Sequence, residues 1–192
     1  TAAQILPIAS LTKLMTGLLV LENMDLEEDV IVSKNAVEAY GDLGGLKIDE
    51  KISNKNLLYI MLMESSNDAA MALAENISLN NVSRGLPPVL TGGSPRRNEL
   101  PQNDNLSSFV SLMNQKAKEL GIENTRFTDP TGYDPSNVST ALDLVKLIKY
   151  SLDKPLIWDI LKTPVIDLSS SDGKTIHHLV NNNQLLNLLN HL

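Results

Sequence analysis

Apolar residues recur at helical spacing through Leu14, Leu18, Leu19 and Leu21, and this predicts a helix over 10–22. The same reading predicts helices near 53–63, 67–77, 106–120, 140–152 and 154–162, with short strands at 29–33, 163–168 and 174–179. Leu57-Leu58-Tyr59-Ile60-Met61-Leu62-Met63 is apolar on nearly every side, so that helix is expected to be buried, its methionines serving as core filler. Thr140 and Asp143 have capping-box spacing, with aspartate in place of the usual Glu or Gln, and mark a helix start. The span 78–105 breaks the pattern. Gly85, Pro87, Pro88, Gly92, Gly93, Pro95 and Pro101 lie there among polar residues around Arg96-Arg97, a composition that predicts a surface insert. No internal repeat is evident.

Composition narrows the class. A chain of 192 residues is by default one domain, long enough for a sizeable core. Only 4% of residues are aromatic, so the core must be built from Leu, Ile, Val, Ala and Met. A net charge of −7 argues against a nucleic-acid partner. With no cysteine there is neither a disulfide nor a thiolate metal site. No apolar run approaches the roughly 20 residues of a membrane span, and no signal peptide is present. The histidines, His177, His178 and His191, show no metal-ligand spacing and lie away from any carboxylate cluster. On a strand, His177 and His178 would point to opposite faces, so at most one meets the core. No G-x-S-x-G elbow surrounds any serine, which leaves a Ser-His-Asp triad unsupported.

Candidate chemistry lies in serines paired with lysine and asparagine. S-x-x-K is expected about once by chance in a chain of this length. Three occur: Ser10/Lys13, Ser151/Lys154 and Ser171/Lys174. Pro155 follows Lys154 and places that pair at a helix end, while Asp172-Gly173 makes the third a turn. Only Ser10/Lys13 opens a sustained helix. S-x-N occurs at Ser65/Asn67, heading an apolar helix, and at Ser78/Asn80, where a helix gives way to a polar loop. Residues i and i+3 share a helix face, so Lys13 can reach the Ser10 hydroxyl. A serine at a helix N-terminus sits in the positive end of the macrodipole, among N–H groups that can stabilise an oxyanion. Lys13 must be neutral to accept a proton, and burial on an apolar face lowers a lysine pKa. Read alone, the pair also fits an N-capping serine and a solvated lysine.

S-x-x-K and S-x-N are two of the three elements of the acyl-transfer site of penicillin-binding proteins and class A β-lactamases. The wider chain resembles the serine-type D-alanyl-D-alanine carboxypeptidases. The resemblance runs through Pro7 to Thr16, Leu57 to Glu75, Met113 to Gly121, Asn124 to Phe127, Asp129 to Pro135 and Ser139 to Leu144. It implies an α+β fold of the β-lactamase/DD-peptidase type, with 1–192 part of one catalytic domain: mostly its helical part, most of the central sheet missing at both ends. It implies Ser10 as acylated nucleophile and Lys13 as its base. Ser65 would relay a proton to the leaving group, and Asn67 would hold the substrate amide and the lysine. The substrates would be peptidoglycan stem peptides ending in D-Ala-D-Ala, and β-lactams would acylate the same serine. No cofactor or metal is implied. The location would be extracytoplasmic, with any membrane anchor outside these residues.

Several features depart from the family pattern. The third element, K-[ST]-G, is absent: Lys162-Thr163 precedes Pro164, and Lys174-Thr175 precedes Ile176. Asn181-Asn182-Asn183-Gln184-Leu185-Leu186 resembles the segment before it, so a chain ending at Leu192 is expected to acylate poorly. Asp49 stands where the family commonly has glycine, a change expected to alter only a surface turn. Glu99-Leu100-Pro101-Gln102-Asn103 weakly resembles the deacylating loop of β-lactamases. A β-lactamase or D,D-endopeptidase on the same scaffold is the alternative enzyme, and a non-catalytic cell-wall-binding protein the alternative of another class.

Overall fold

In a computed structural model the chain is described over residues 1–83, 102–183 and 186. A two-residue strand β1 (Leu6–Pro7) leads through a 3-10 turn (Ala9–Leu11) into α1 (Thr12–Asn23). Next come β2 (Asp29–Ile31), the short α2 (Lys34–Val37), β3 (Lys51–Ser53), α3 (Asn54–Glu64) and α4 (Asn67–Ser83). After the undescribed segment follow α5 (Gln102–Glu119), β4 (Val138–Ser139), α6 (Ala141–Ser151), α7 (Pro155–Lys162), β5 (Val165–Ser169) and β6 (Ile176–Val180). The strands form three separate antiparallel pairs, β1 with β4, β2 with β3 and β5 with β6.

All six predicted helices are present, and the core lies between them. Met15, Leu18, Leu19 and Val20 of α1 are buried together with Leu57, Leu58, Ile60, Met61 and Met63 of α3 and with Ala69, Ala70, Leu73 and Ile77 of α4. Phe109 and Met113 of α5 belong to the same cluster. The nearly all-round apolar pattern of α3 thus does mean burial, and its buried methionines are core. Ser53 caps α3 by accepting from the Asn56 N–H, and Thr140 caps α6 by accepting from the Asp143 N–H. The capping box is only half formed, because Asp143 turns its carboxylate to the Asn124 N–H and the Thr125 hydroxyl.

Three helix boundaries differ from the sequence reading by more than a residue. Helix α1 begins at Thr12, not Ser10, and α4 and α5 run into the span read as insert, to Ser83 and from Gln102. Each added residue extends a helix already nucleated, which weak propensity does not prevent. Residues 84–101, including Arg96-Arg97 and Glu99 to Pro101 of the stretch resembling the deacylating loop, lie outside the described residues, as does His191. Asp49 takes the left-handed conformation (φ +64°) in an exposed turn closed by the Glu50 N–H on the Lys47 carbonyl, a geometry aspartate tolerates. His177 is buried and His178 exposed, as alternation on β6 requires. Each has nevertheless found a carboxylate: His177 Nε2 lies 2.6 Å from Glu50 Oε1, and His178 Nδ1 2.6 Å from Asp167 Oδ1. No helix among the described residues is long and apolar enough to cross a membrane.

One loop fixes how the start of α1 sits. The Ile8 N–H donates to the Asn137 carbonyl, and the Thr16 hydroxyl to the Pro130 carbonyl. Gly132 (φ +82°) packs so closely that a Cβ there would lie 1.9 Å from the Ala9 carbonyl oxygen. Gly132→Ala is therefore expected to destabilise the fold by about 3 kcal/mol or more, through left-handed strain plus overpacking against backbone. Gly121→Ala is the control, since Gly121 also has a positive φ (+64°) but open space around it, and should lose only about 1–2 kcal/mol. Urea unfolding of both variants measures the difference.

Candidate active site

Ser10 sits exposed in the 3-10 turn, directly after Ala9, whose φ of +46° is left-handed. Lys13, in the first turn of α1, is 3% exposed. Its Nζ donates to Ser10 Oγ at 3.2 Å and to the Thr131 carbonyl at 2.8 Å. The expected helix-terminal position for Ser10 is thus corrected to the turn before the helix. Neither start is capped by a side chain, because the Ser10 hydroxyl accepts from the lysine instead. This removes the reading of Ser10 as N-cap and of Lys13 as solvated.

Burial pushes the Lys13 amine down from 10.5 to about 8, against the pull of the Asp129 and Asp42 carboxylates, which favour its charged form. About one amine in ten is then neutral at pH 7, where an ordinary lysine offers fewer than one in a thousand. Asp129 itself is held below the usual carboxylate range, although its partial burial works the other way, by hydrogen bonds from Thr131, Asp134 and Gly132.

The other two S-x-x-K pairs have no such geometry. Ser151 donates to the Ile148 carbonyl while Lys154 meets Glu22. Ser171 donates to Asp29 while Lys174 meets Asp172. Only at Ser10/Lys13 do amine and hydroxyl bond each other.

Ser65 lies between α3 and α4, half-buried, in the left-handed conformation (φ +60°, ψ +30°). Asn67 opens α4 and is 6% exposed; its backbone N–H donates to the Asp42 carbonyl at 2.7 Å and its side-chain amide to the Tyr40 carbonyl. Among the described residues no bond joins Ser65 or Asn67 to Ser10 or Lys13. The expected Asn67–Lys13 contact is replaced by the 40–42 loop, which takes up the amide. The pairs are linked through neighbours instead: a Cβ on Gly41 would meet both the Asn67 amide and the Tyr133 ring, and Tyr133 follows the Thr131-Gly132 backbone that touches Lys13 and Ala9. Asn67 is thus placed on the Tyr40 side of the 129–137 loop.

Sequence reasoning did not single out Tyr40, Asp42 or Asp129. The turn chemistry of Asp129-Pro130-Thr131-Gly132 was the available signal for the last. Tyr40 and Tyr133, both exposed, stack with ring centroids 5.9 Å apart. With Glu38, Met71, Thr131 and Asp134 they line a cavity of about 270 Å³. A second cavity of about 260 Å³ is lined by Ala9 and Leu11, on either side of Ser10 in sequence, with Leu6, Ser139 and Leu144. Among the described residues no group of three His, Cys, Asp or Glu side chains could hold a metal ion.

The arrangement opposes folding stability to chemistry. Keeping a protonated Lys13 buried costs about 3 kcal/mol at neutral pH, from its displacement below the ordinary lysine value. Between pH 8 and 10.5 the unfolded chain holds a proton that the folded one has released, so wild-type stability rises with pH across that window. Lys13→Met is therefore expected to stabilise the fold at pH 7 by about 1–2 kcal/mol, after allowance for the Thr131 carbonyl left unpaired. The gain should shrink as pH rises from 8 to 10.5, as urea unfolding at several pH values would show.

Comparison with known proteins agrees with this architecture. The family model of Peptidase S11, described as D-alanyl-D-alanine carboxypeptidase, matches residues 1–82 and 103–191. A D-alanyl-D-alanine endopeptidase of Pseudomonas aeruginosa is 33% identical over 186 residues, covering 93% of this chain and 52% of that protein. A D-alanyl-D-alanine carboxypeptidase of Bacillus subtilis is 32% identical over 184 residues, covering 93% of this chain and 41% of that protein. The chain therefore spans about half, or less, of the length of these relatives. The crystal structure of the Streptomyces K15 DD-transpeptidase superposes with a TM-score of 0.77 at 26% identity, covering 96% of this chain and 68% of that one. A penicillin-binding protein homolog of Mycobacterium tuberculosis gives 0.76 at 28%, covering 97% and 61%. The fold is that of the penicillin-binding DD-peptidases, and the chain belongs to the Peptidase S11 family of D-alanyl-D-alanine carboxypeptidases.

Proposed function

We propose that this chain carries the acylating half of a serine D,D-peptidase that acts on peptidoglycan stem peptides ending in D-Ala-D-Ala. The observation that carries this reading is the buried Lys13 amine bonded to the exposed Ser10 hydroxyl. Neutral Lys13 takes the hydroxyl proton as Ser10 attacks the carbonyl of the terminal peptide bond, and the proton passes to the departing D-alanine amine by way of Ser65. Water then releases the acyl group from Ser10. Asn67 holds the substrate amide, and β-lactams enter as substrate mimics. Action on peptidoglycan supports an extracytoplasmic location, in the periplasm or on the outer face of the cytoplasmic membrane.

Two bond types fit this chemistry: the terminal D-Ala-D-Ala bond, cleaved by a carboxypeptidase, and the cross-link cleaved by an endopeptidase. Carboxypeptidase action is the first reading, from the family. The name of the P. aeruginosa relative favours the second. Release of D-alanine from pentapeptide monomers, against cleavage of cross-linked dimers, separates them. The K-[ST]-G element does not occur in the 192 residues.

Incubation with a penicillin followed by intact mass is expected to show slow, stable, one-to-one labelling of Ser10. The label should be lost in Ser10→Ala and slowed about 10³-fold in Lys13→Ala. The rate should rise close to tenfold per pH unit below about 8 and level off above it, as the Lys13 amine becomes neutral. A wild-type rate that Lys13→Ala leaves unchanged would sink the reading in favour of a non-catalytic wall-binding protein. Turnover of the penicillin in place of a stable adduct would indicate a β-lactamase.

A further inference from the structure

The Asp129 carboxylate collects five donors from its own loop. Oδ1 accepts from the Thr131 N–H (2.6 Å), the Thr131 hydroxyl (2.6 Å) and the Gly132 N–H (2.7 Å). Oδ2 accepts from the Asp134 N–H (3.0 Å) and the Asn137 side-chain amide (2.6 Å). The loop these bonds close reaches the site at two points. At one, it aims the Thr131 carbonyl at Lys13 Nζ. At the other, Gly132 packs on the Ala9 carbonyl and Asn137 accepts the Ile8 N–H, which braces the segment leading into Ser10. Amine and hydroxyl are thus braced by one knot.

We propose that Asp129 is a positioning residue of the acyl-transfer site, setting the Lys13 amine and the Ser10 segment against each other through the hydrogen bonds of the 129–137 loop. Its place in acyl transfer rests on the function proposed above; its action on Lys13 rests on the geometry alone. Bound to Thr131 and Gly132, the carboxylate touches neither the Ser10 hydroxyl nor the amine. It acts on Lys13 in two opposed ways. The loop lays the Thr131 carbonyl against the amine and so shares in burying it, while the carboxylate's charge favours the ammonium. Burial of the amine as a whole outweighs that charge. Asp42, the other carboxylate acting on the amine, is left in place throughout.

The opposition supplies a test that a merely structural role would not pass. The chain is labelled isotopically at lysine, and the Lys13 side chain is titrated by NMR, assigned through its loss in Lys13→Met. In Asp129→Ala all five bonds go, water reaches the amine, and the midpoint is expected to rise from about 8 toward 10.5. In Asp129→Asn the remaining oxygen can keep the three bonds of Oδ1. The amine stays sheltered but loses the neighbouring charge, so the midpoint is expected to fall below about 8. Should Asp129→Ala not fold, the Asn variant decides. Midpoints equal to wild type in the folded variants, whatever their thermal stability, overturn the proposal. Penicillin labelling of Ser10 in the same samples is expected to slow about 100-fold in Asp129→Ala, as misplacement of reacting groups does. If wild type itself does not label, the acyl-transfer reading fails, while the midpoints still decide whether Asp129 controls Lys13.

Discussion

A lysine amine buried within reach of a serine hydroxyl governs this structure. Left in a dry interior without partners, an ammonium is among the most unfavourable groups a fold can hold. Here the amine keeps two acceptors, Ser10 Oγ and the Thr131 carbonyl, with the carboxylates of Asp129 and Asp42 near enough to favour its charge. Burial still wins. The group therefore sits between two regimes, too dry to be an ordinary cation and too well partnered to be expelled. Much of the surrounding architecture serves that balance: the apolar packing of α1 on α3 and α4 and the cover of the 129–137 loop together supply the dryness, and the loop also supplies the carbonyl.

The helices were legible because their apolar positions repeat every three to four residues, and α3 advertised its burial by having no polar face. The strands β1, β3 and β4 were not, since two or three residues are too few to display alternation. Choosing Ser10/Lys13 over the other two S-x-x-K pairs was legible from context, because proline and glycine mark helix ends and turns. What escaped is everything that depends on partners far along the chain. Thr131 lies 118 residues from Lys13, and Glu50 lies 127 from His177. Asn67 illustrates the limit most clearly: its type and spacing named the motif, but the Tyr40 carbonyl that holds its amide could not be read from either.

Endopeptidases and carboxypeptidases are both among the relatives of this chain, and a transpeptidase shares the fold. If the proposed acyl transfer holds, amine, hydroxyl and loop serve any acceptor and any of these bonds alike, and the choice among them falls to other surfaces. Two cavities differ in kind: one is framed by stacked tyrosines and carboxylates, the other, reached by Ala9 and Leu11 on either side of Ser10, by Leu6 and Leu144.

The left-handed backbone at Ser65 has a consequence for anyone who evolves this chain. A serine held at φ +60° forgoes about 1–2 kcal/mol that glycine would not. A library screened for heat resistance alone will therefore be drawn to glycine at this position, and each such winner will have discarded a hydroxyl. Selection for durability and selection for the proton relay proposed for Ser65 would pull on one atom in opposite directions. Stabilised variants of this scaffold should be chosen with position 65 held fixed.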